Sequence, residues 1–285
     1  MRMPDPIGGL AVDGLGEPYP GLRSFRRDET HIFFGREGTI SEMVDRLGPH
    51  RFLAVTGISG SGKYSLVRTG LLDALDRGML VEAGSDWYVA EFRPGGQPLS
   101  RLTTALANVI DSTLSDEELG LVQAKIASGP LGLVAWLDEI DFPRETNVLL
   151  LVDQFEEIFR YRQGQSGDDT DAFVALLLAC AKQRKRRIYV VITMRSDFLG
   201  DCARFTDLAE TINDGQFLTP RLTREQCRKA IEGPAAVYGG SVEPTLVTRM
   251  LNDMGGNPDQ LPLMQHILCC CGKRRARGPA TRRRS

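Results

Sequence analysis

The stretch from residue 51 to residue 72, RFLAVTGISGSGKYSLVRTGLL, constrains this chain more than any other. Its first part, Phe52 to Val55, is apolar or small, as expected of a strand buried on both faces of a sheet. A glycine-rich loop and an amphipathic helical pattern follow. This order lets a loop turn its backbone N–H groups around a polyphosphate at a helix N-terminus. The stretch therefore predicts an α/β protein with a phosphate-binding loop.

The loop fits the pattern G-x-x-x-x-G-K, in which Lys63 reaches the β- and γ-phosphates. The pattern next requires Ser or Thr, whose hydroxyl holds Mg²⁺, but Tyr64 stands there. A phenol is a bulky and poor ligand for a hard cation, and Ser65 lies about 100° further around the helix. We therefore expect phosphate binding to persist and Mg²⁺ binding to be weakened. The predicted nucleotide-binding residues of this segment are Gly57, Ser59, Gly60, Ser61, Gly62, Lys63, Tyr64 and Ser65.

With 42% hydrophobic and 25% charged residues, the chain has an ordinary globular composition. It contains neither a long apolar run nor a secretory signal, so we expect no membrane association. Its six cysteines show no CxxC spacing, which favours reduced thiols and a cytoplasmic location over structural zinc. The segment 269–285 is basic and lacks acids, so the rest of the chain is acidic. That balance argues against a broad nucleic-acid surface.

A second apolar strand, Val148 to Val152, ends in Asp153. An apolar strand that delivers an aspartate at its carboxyl end, behind a phosphate loop, is the Walker B arrangement. We expect Asp153 to hold Mg²⁺ directly or through water, and Glu156 or Glu157 to polarise the attacking water. The alternative for both glutamates is a solvated place in the first turn of the following helix, where carboxylates are favoured anyway.

Further strands are predicted at 87–92, 188–193 and 217–222. Arg195 follows the strand at 188–193, and an arginine or threonine at such a strand tip can sense the γ-phosphate in P-loop ATPases. The alternative is an arginine that only caps the edge of the sheet. The basic run at 182–187, KQRKRR, is interpreted as a solvated helix end rather than as a nucleic-acid patch.

The pattern becomes helical at Thr223, where a capping box begins a helix that we expect to break near Gly233 and Pro234. Two more helices are predicted, at 243–254 and from about Pro262. The predicted organisation is a flexible leader (1–17), a P-loop core (18–222), a truncated helical domain (223–268) and a disordered basic tail (269–285). A truncated or frame-disturbed end is the preferred explanation of that tail, and an unstructured basic tail is the alternative.

Six motifs follow one another between residues 18 and 267 of the chain. They read YPGLRSF followed by FFGRE, GISGSGK with SLVRTGLL, VLLLVDQFEEIF, ITMRSDFLGDCARF, LTREQCRKAIEGPA and GGNPDQLPLMQH. Together they resemble the novel STAND NTPase domain of bacterial multidomain proteins. Six motifs in order are far more specific than a single phosphate loop.

This resemblance implies a three-layer α/β/α P-loop NTPase related to AAA+ ATPases, with a parallel sheet of strand order 5-1-4-3-2 and a helical lid. It places Arg36 near the adenine or ribose, whereas composition alone favours an ordinary surface charge. The resemblance also implies that Arg195 is the residue that senses the γ-phosphate. It also implies that a proline of the helical domain packs against the base, and Pro262 fits this role better than Pro258.

The resemblance further implies a switch that is closed with ADP and that opens and oligomerises after exchange to ATP. We expect nucleotide as the ligand, a nucleotide-dependent homo-oligomer, and protein partners bound through domains that this chain lacks. Because Tyr64 disturbs the Mg²⁺ position, hydrolysis should be slow or impaired. The alternatives are a non-catalytic nucleotide-binding scaffold and an inactive fragment of a larger protein with repeats.

Overall fold

The computed structural model describes residues 7–8, 17–161, 167–253 and 260–276 of the chain. The strands among these residues are β1 (Ile7–Gly8), β2 (Phe52–Gly57), β3 (Trp87–Phe92), β4 (Asn147–Val152), β5 (Ile188–Arg195), β6 (Gln216–Leu218) and β7 (Ser241–Val242). Most of the predicted leader, and Pro258, lie outside the described residues.

The helices of the described residues include α-, 3₁₀- and π-helical segments. The α-helices are α1 (Glu37–His50), α2 (Lys63–Ser65), α3 (Leu72–Asp76), α4 (Pro98–Ile110), α5 (Asp116–Ile126), α6 (Gly132–Glu139), α7 (Glu157–Tyr161), α8 (Gly167–Lys182), α9 (Thr206–Gly215), α10 (Arg224–Val237), α11 (Pro244–Asp253) and α12 (Gln260–Ala276). The 3₁₀-helices cover Arg27–Ile32 and Ser196–Arg204, and the π-helix covers Leu66–Leu71. Among the described residues, no helix combines the length and apolarity needed to cross a membrane.

Five strands form one parallel sheet in the order β3-β4-β5-β2-β6. Numbered along the chain within this sheet, the order is 2-3-4-1-5, which is 5-1-4-3-2 read from the other edge. The expected α/β class and strand order are therefore confirmed. In the register, Gly57 pairs with Arg195, and Val152 pairs with Phe92 and Ile192. The carboxyl ends of four strands thus meet at one edge of the sheet.

Several strand boundaries differ from the sequence-based expectation, and two of them are instructive. β5 extends beyond Thr193 to Arg195, because its last residues still pair with the end of β2. β6 stops at Leu218 instead of continuing to Leu222. Pro220 follows closely and has no N–H to donate to a neighbouring strand, so it cannot extend the ladder.

The core of this sheet is buried on both faces. One face packs against apolar residues of α4, α5, α6, α8 and α9, including the fully buried Leu102 and Phe173. Residues that alternate with this face, such as Leu53, Val55 and Leu151, are also fully buried. Burial on both faces explains why these strands are nearly continuous apolar runs.

The chain divides into two compact units, each made of segments that are distant in sequence. One unit comprises residues 41–58 and 74–219 and contains the parallel sheet. The other comprises residues 1–40, 59–73 and 220–285, so it joins the phosphate loop and the segment before α1 to the C-terminal helices. This grouping differs from the two continuous domains expected from the sequence, because compact units depend on contacts between segments rather than on sequence order.

The C-terminal helices pack on the N-terminal segment of their own unit. The buried Tyr19 hydroxyl donates a 2.6 Å hydrogen bond to the carbonyl of Ile231, and its ring joins a cluster that includes Val247 and Leu268. Burial raises the pKa of Tyr19 well above its ordinary value. The Tyr19 hydroxyl is thus hydrogen-bonded while its ring is buried. This contact joins residues that lie more than 200 positions apart in the sequence.

Two expectations for these helices are corrected. The predicted break near Gly233 and Pro234 is absent, since α10 runs unbroken from Arg224 to Val237. Pro234 has no N–H and so removes one helical hydrogen bond. Pro234 and its neighbours Ile231 and Ala235 are buried, and this packing keeps the helix continuous past Pro234. The predicted disordered tail is helical up to Ala276, because α12 is already nucleated by its docked part and extending a helix is easier than starting one.

Candidate functional site

The phosphate loop has the backbone shape that its glycines predict. Gly60 and Gly62 have φ angles of 73° and 82°, in the left-handed region that only glycine enters without steric cost. The carbonyl of Gly62 accepts a 2.8 Å hydrogen bond from the amide of Leu66, which begins the helix. A loop in this conformation can turn consecutive N–H groups toward one anion. Lys63 is the first residue of α2, and Ser59 is exposed.

Ser61 contributes a buried hydroxyl to the loop. Among the described residues, no group forms a hydrogen bond with its Oγ. A buried hydroxyl without a partner costs free energy, and folded proteins keep few of them. A phosphate oxygen bound in the loop would supply the missing acceptor. The orphaned hydroxyl is therefore an observation that fits a polyphosphate ligand.

Arg36 is buried beside the same loop, with only 5% of its surface exposed. Its Nη1 donates a 2.7 Å hydrogen bond to the carbonyl of Pro220, and its Nη2 donates a 3.2 Å bond to the carbonyl of Ser61. No carboxylate among the described residues pairs with it. Burial lowers the pKa of Arg36 to about 10, while nearby Cys227 acts weakly in the opposite direction. The interpretation of Arg36 as an ordinary surface charge is therefore wrong.

Gly35 fixes the backbone that leads into Arg36. Its φ angle is +85°, and a Cβ added there would lie 2.5 Å from the carbonyl oxygen of Gln226 in α10. Only glycine permits both this conformation and this close approach. The sequence FFGRE therefore requires its glycine for a structural reason, since Gly35 brings the chain against α10 immediately before Arg36.

The hydroxyl of Ser65 is engaged in a structural contact. It accepts a 3.2 Å hydrogen bond from the amide of Phe25. One turn later, the Thr69 hydroxyl donates a 3.1 Å bond to the carbonyl of Arg26. The two side chains hold the segment before α1 against the helix that follows the loop. The predicted place of Ser65 in the nucleotide-binding segment stays a prediction.

The helix after the loop is α-helical only at its two ends. From Leu66 to Leu71 it is a π-helix, and the amide of Leu72 bonds the carbonyl of Val67, five residues earlier. The sequence predicts an ordinary α-helix here. The spacing of its apolar residues does not distinguish hydrogen bonds between residues five apart, as in a π-helix, from those between residues four apart, as in an α-helix. Gly70 lies where an added Cβ would be 2.7 Å from Ile40, so the wider turn packs closely on α1.

In the sheet unit, Asp153 follows the end of β4 as expected and is buried. Both of its carboxylate oxygens are engaged. The Thr193 hydroxyl donates a 2.7 Å hydrogen bond to Oδ1, and Nε of Arg93 donates a 3.0 Å bond to Oδ2. The amide of Gln154, which has a positive φ of 54°, donates to the Thr193 hydroxyl at 3.1 Å. Thr193 thus supports the turn that presents Asp153.

The two candidate glutamates have different surroundings. Glu156 is buried, and its Oε2 accepts a 3.3 Å hydrogen bond from the amide of Arg195. Glu157 begins α7, and its Oε2 accepts a 3.0 Å bond from the amide of Gly95, in the loop after β3. Glu157 therefore clamps a neighbouring loop, whereas Glu156 lies between the ends of β4 and β5. The solvated alternative does not describe Glu156, which is only 6% exposed.

The predicted sensor Arg195 is committed to a neighbour. Its Nε and Nη2 bond the two carboxylate oxygens of Asp197 at 3.0 and 2.5 Å, and its guanidinium lies 5.7 Å from the ring centre of Phe198. The pair raises the pKa of Arg195 and lowers the pKa of Asp197. Asp153, Glu156 and Arg195 are brought to one edge of the sheet, and the sensing role stays a prediction.

Some site residues were missed by the sequence analysis. Arg93 stands in the predicted loop RPGGQP, directly after a strand, and that position was its only signal. Thr193 was treated as part of a strand rather than as a partner of Asp153. Pro262 lies in the first turn of α12 and is half-buried, and its contact with a base stays a prediction.

The phosphate loop fits a polyphosphate, whereas both positions expected to hold Mg²⁺ are altered. The loop glycines, the orphaned Ser61 hydroxyl and the charge of Arg36, which no carboxylate of the described residues pairs, all favour an anion. For Mg²⁺, the usual hydroxyl ligand is replaced by the phenol of Tyr64, and the carboxylate of Asp153 is paired with a guanidinium. No three His, Cys, Asp or Glu side chains of the described residues are grouped to hold a metal. In the loop the usual ligand is therefore missing, and in the sheet unit the expected carboxylate is already engaged.

Comparison with known proteins agrees with this fold. The model of the family Novel STAND NTPase 1 matches residues 18–284. Comparison with the curated proteins found no match to the chain. Among solved structures, the ORC2 protein of Aeropyrum pernix, in ADPNP-ADP complexes, is similar with a TM-score of 0.59 and 15% identity. The alignment covers 92% of this chain and 66% of that one.

Two other solved structures show the same AAA+-type fold. The Aeropyrum pernix ORC1 protein has a TM-score of 0.54 and 15% identity, covering 88% of this chain and 63% of its own. CDC6P of Pyrobaculum aerophilum has a TM-score of 0.50 and 15% identity, covering 85% and 62%. The chain therefore spans less than two thirds of the length of these proteins, and at such identity the likeness concerns the fold alone.

Proposed function

The chain belongs to the Novel STAND NTPase 1 family, and on that premise we propose that it binds ATP and ADP as a nucleotide-dependent switch whose hydrolysis is slow or impaired. The family makes it a STAND/AAA+-type P-loop NTPase domain, for which nucleotide binding is the common property. Adenine as the base is supported by the ORC2 protein, which was solved with ADPNP and ADP.

The observation that carries the proposal is the burial of Arg36 against the carbonyl of Ser61. A buried cation normally has an anionic partner, because leaving water costs far more than neutral hydrogen bonds return. Carbonyl oxygens satisfy some of its N–H groups, and no carboxylate among the described residues compensates its charge. With its ribose or adenine near Arg36, a bound nucleotide would bring its phosphate charge to this part of the loop and supply an acceptor for the orphaned Ser61 hydroxyl.

Within this proposal, Lys63 and the loop amides hold the phosphates, and Arg36 lies near the ribose or adenine. Pro262 packs against the base, Arg195 senses the γ-phosphate, and Glu156 or Glu157 orients water. Slow hydrolysis follows from Tyr64, since a phenol is a poor hard-cation ligand. Nucleotide exchange would then control a homo-oligomer and the contacts with protein partners.

The binding proposal is tested by titrating the whole chain with ADP and ATP in a calorimeter. Replacing Lys63 with Ala should weaken both affinities roughly tenfold or more, because a charge-assisted bond to phosphate is lost. The matched control is Lys229→Ala, which removes an exposed lysine of α10 and should leave both affinities unchanged. No binding by the wild type, or equal affinities in Lys63→Ala, would overturn the proposal.

The switch proposal is tested by the mass of the protein in solution with saturating ADP and with ATP, measured by light scattering. A larger assembly with ATP is expected. Equal masses in both states would remove the oligomeric part of the proposal while leaving nucleotide binding intact. The non-catalytic scaffold remains the second candidate, and Tyr64 is the observation that favours it.

A further inference from the structure

The carboxylate of Asp153 is paired with the guanidinium of Arg93. We propose that Arg93 is a positioning residue that takes the place of a divalent cation at Asp153, so that a divalent cation reaches this carboxylate only by displacing Arg93. If the proposed function holds, nucleotide binding should then need no added Mg²⁺. That consequence rests on the proposed function, whereas the competition for Asp153 does not.

The pair follows from the register of the sheet. Phe92 at the end of β3 pairs with Val152 at the end of β4, and the amide of Asp153 donates a 2.9 Å bond to the carbonyl of Phe92. Residues 93 and 153 therefore leave neighbouring strands at the same level. From there Nε of Arg93 reaches Oδ2 of Asp153 at 3.0 Å. The register of the two strands therefore places the guanidinium of Arg93 at the carboxylate of Asp153.

The loop after β3 is also held to the segment after β4. The amide of Gly95 donates to Oε2 of Glu157 at 3.0 Å, and Gly96 lies against the ring of Tyr161. Both contacts are made by residues that follow Arg93 in the same loop, so they hold the loop that carries its side chain. One short loop engages two carboxylates of the Walker B segment, one through a side chain and one through the backbone.

The exposure of the two partners allows exchange. The side chain of Asp153 is 6% exposed, whereas that of Arg93 is 57% exposed. Asp153 is therefore buried at the end of its strand, whereas more than half of the Arg93 side chain is in contact with solvent. A partly exposed ion pair is weak enough to be displaced, so we expect Arg93 to lower the divalent-cation affinity of the site roughly fivefold.

A second observation points the same way. In this loop family the cation is shared between the hydroxyl after the loop lysine and the Walker B aspartate. Position 64 is Tyr, so the first ligand is absent, and the carboxylate of Asp153 is paired with Arg93.

The experiment measures Mn²⁺ binding by electron paramagnetic resonance without nucleotide, and ADP affinity by calorimetry with Mg²⁺ and with EDTA. Arg93→Gln is compared with wild type and with Arg101→Gln, which removes an exposed arginine of α4. We expect Arg93→Gln to bind Mn²⁺ roughly fivefold more tightly. Chelation should weaken its ADP affinity more than threefold, and that of wild type and Arg101→Gln less than twofold.

Arg93→Lys keeps the positive charge and is the second variant to be measured if Arg93→Gln fails to fold. The Mn²⁺ affinity of Arg93→Lys should stay within twofold of the wild type. Equal Mn²⁺ affinities in wild type and Arg93→Gln would overturn the inference, as would a wild type whose ADP binding disappears in EDTA. A wild type that binds no ADP under either condition would overturn the proposed function, while the Mn²⁺ measurement would still decide the role of Arg93. A Mn²⁺ affinity that rises equally in Arg101→Gln would reduce the effect to net charge and reject the specific pairing.

Discussion

The guanidinium of Arg68 lies over the aromatic ring of Tyr64, with its Cζ 5.5 Å from the ring centre. The two residues are one helical turn apart, immediately after the phosphate loop. A cation over the face of a tyrosine ring is favourable, so the ring is held in a defined place. Tyr64 therefore does more than remove a Mg²⁺ ligand, because it also installs a positively charged neighbour in the first turns of the helix.

This relationship predicts the effect of Tyr64→Ser. The variant regains the hydroxyl that the loop pattern requires, and ATP turnover in Mg²⁺ should rise roughly tenfold or more as the cation is held by an additional oxygen. Turnover is measured by phosphate release under saturating ATP. Tyr64→Phe is the control, since it keeps the ring beneath Arg68 and should stay at the wild-type rate. Wild-type turnover that matches Tyr64→Ser and vanishes in Asp153→Asn would contradict the prediction.

Arg36→Met should separate stability from ligand response. The pKa of Arg36, lowered from 12.5 to about 10, indicates a cost of about 3 kcal/mol for burying its charge, of which the two carbonyl bonds return only a part. Since Met removes the buried charge as well as the two bonds, we expect the free energy of unfolding without ligand to stay the same or to rise slightly. If ADP binding weakens about thirtyfold, the stabilisation by ADP at 100 times the wild-type Kd falls from about 2.7 to about 0.9 kcal/mol.

This prediction is checked by urea unfolding with and without ADP. Arg101→Met is the control, because Arg101 is exposed on α4, and its response to ADP should equal that of wild type. An Arg36→Met protein that is stabilised by ADP as much as wild type would show that Arg36 does not face the ligand.

The surroundings of the two glutamates predict different variants. Glu156→Gln should lower ATP turnover roughly a hundredfold, the usual loss for a general base, because its buried carboxylate lies at the sheet edge beside Asp153 and Arg195. Glu157→Gln should lower turnover less than tenfold, since its carboxylate holds the amide of Gly95. Single-turnover measurements on Tyr64→Ser, which has the higher basal rate, make both losses measurable. The reverse ranking would assign the base to Glu157.

Gly35→Ala tests the close approach before Arg36. The alanine must adopt a φ of +85° and place its Cβ 2.5 Å from the carbonyl oxygen of Gln226, so we expect a loss of about 3 kcal/mol or more. Gly239→Ala is the matched control, with a φ of +73° and open space, and should lose about 1 kcal/mol. Urea denaturation gives both values, and equal losses would mean that α10 yields to the new methyl group.

Much of the fold could be predicted from the sequence. The four longer strands of the central sheet are short apolar runs, and each was located to within about two residues because burial on both faces leaves a strong pattern. The strand order came from the family resemblance and is confirmed. The unbroken α10 and the π-helix at Leu66–Leu71 were not predicted, since each depends on packing against other segments. The extension of α12 was not predicted either, since it continues a helix whose first part is docked.

The candidate site, too, could be predicted from the sequence only in part. The identities of Lys63, Tyr64 and Asp153 were evident because their motifs are local in sequence. The pairing of Arg93 with Asp153 was not, because the two residues are 60 positions apart and meet only through the register of β3 and β4. Nothing in the local sequence distinguishes Arg93 from any other arginine in a loop.

By itself the sequence determined the chemistry available to this protein, namely a phosphate loop, a Walker B aspartate and a phenol at the metal position. The tertiary structure decided how those groups are charged and paired. It buried Arg36 against the loop without a carboxylate among the described residues, and it placed a guanidinium on Asp153. Burial and long-range register set the electrostatics of a site, and neither can be determined from the residues one at a time.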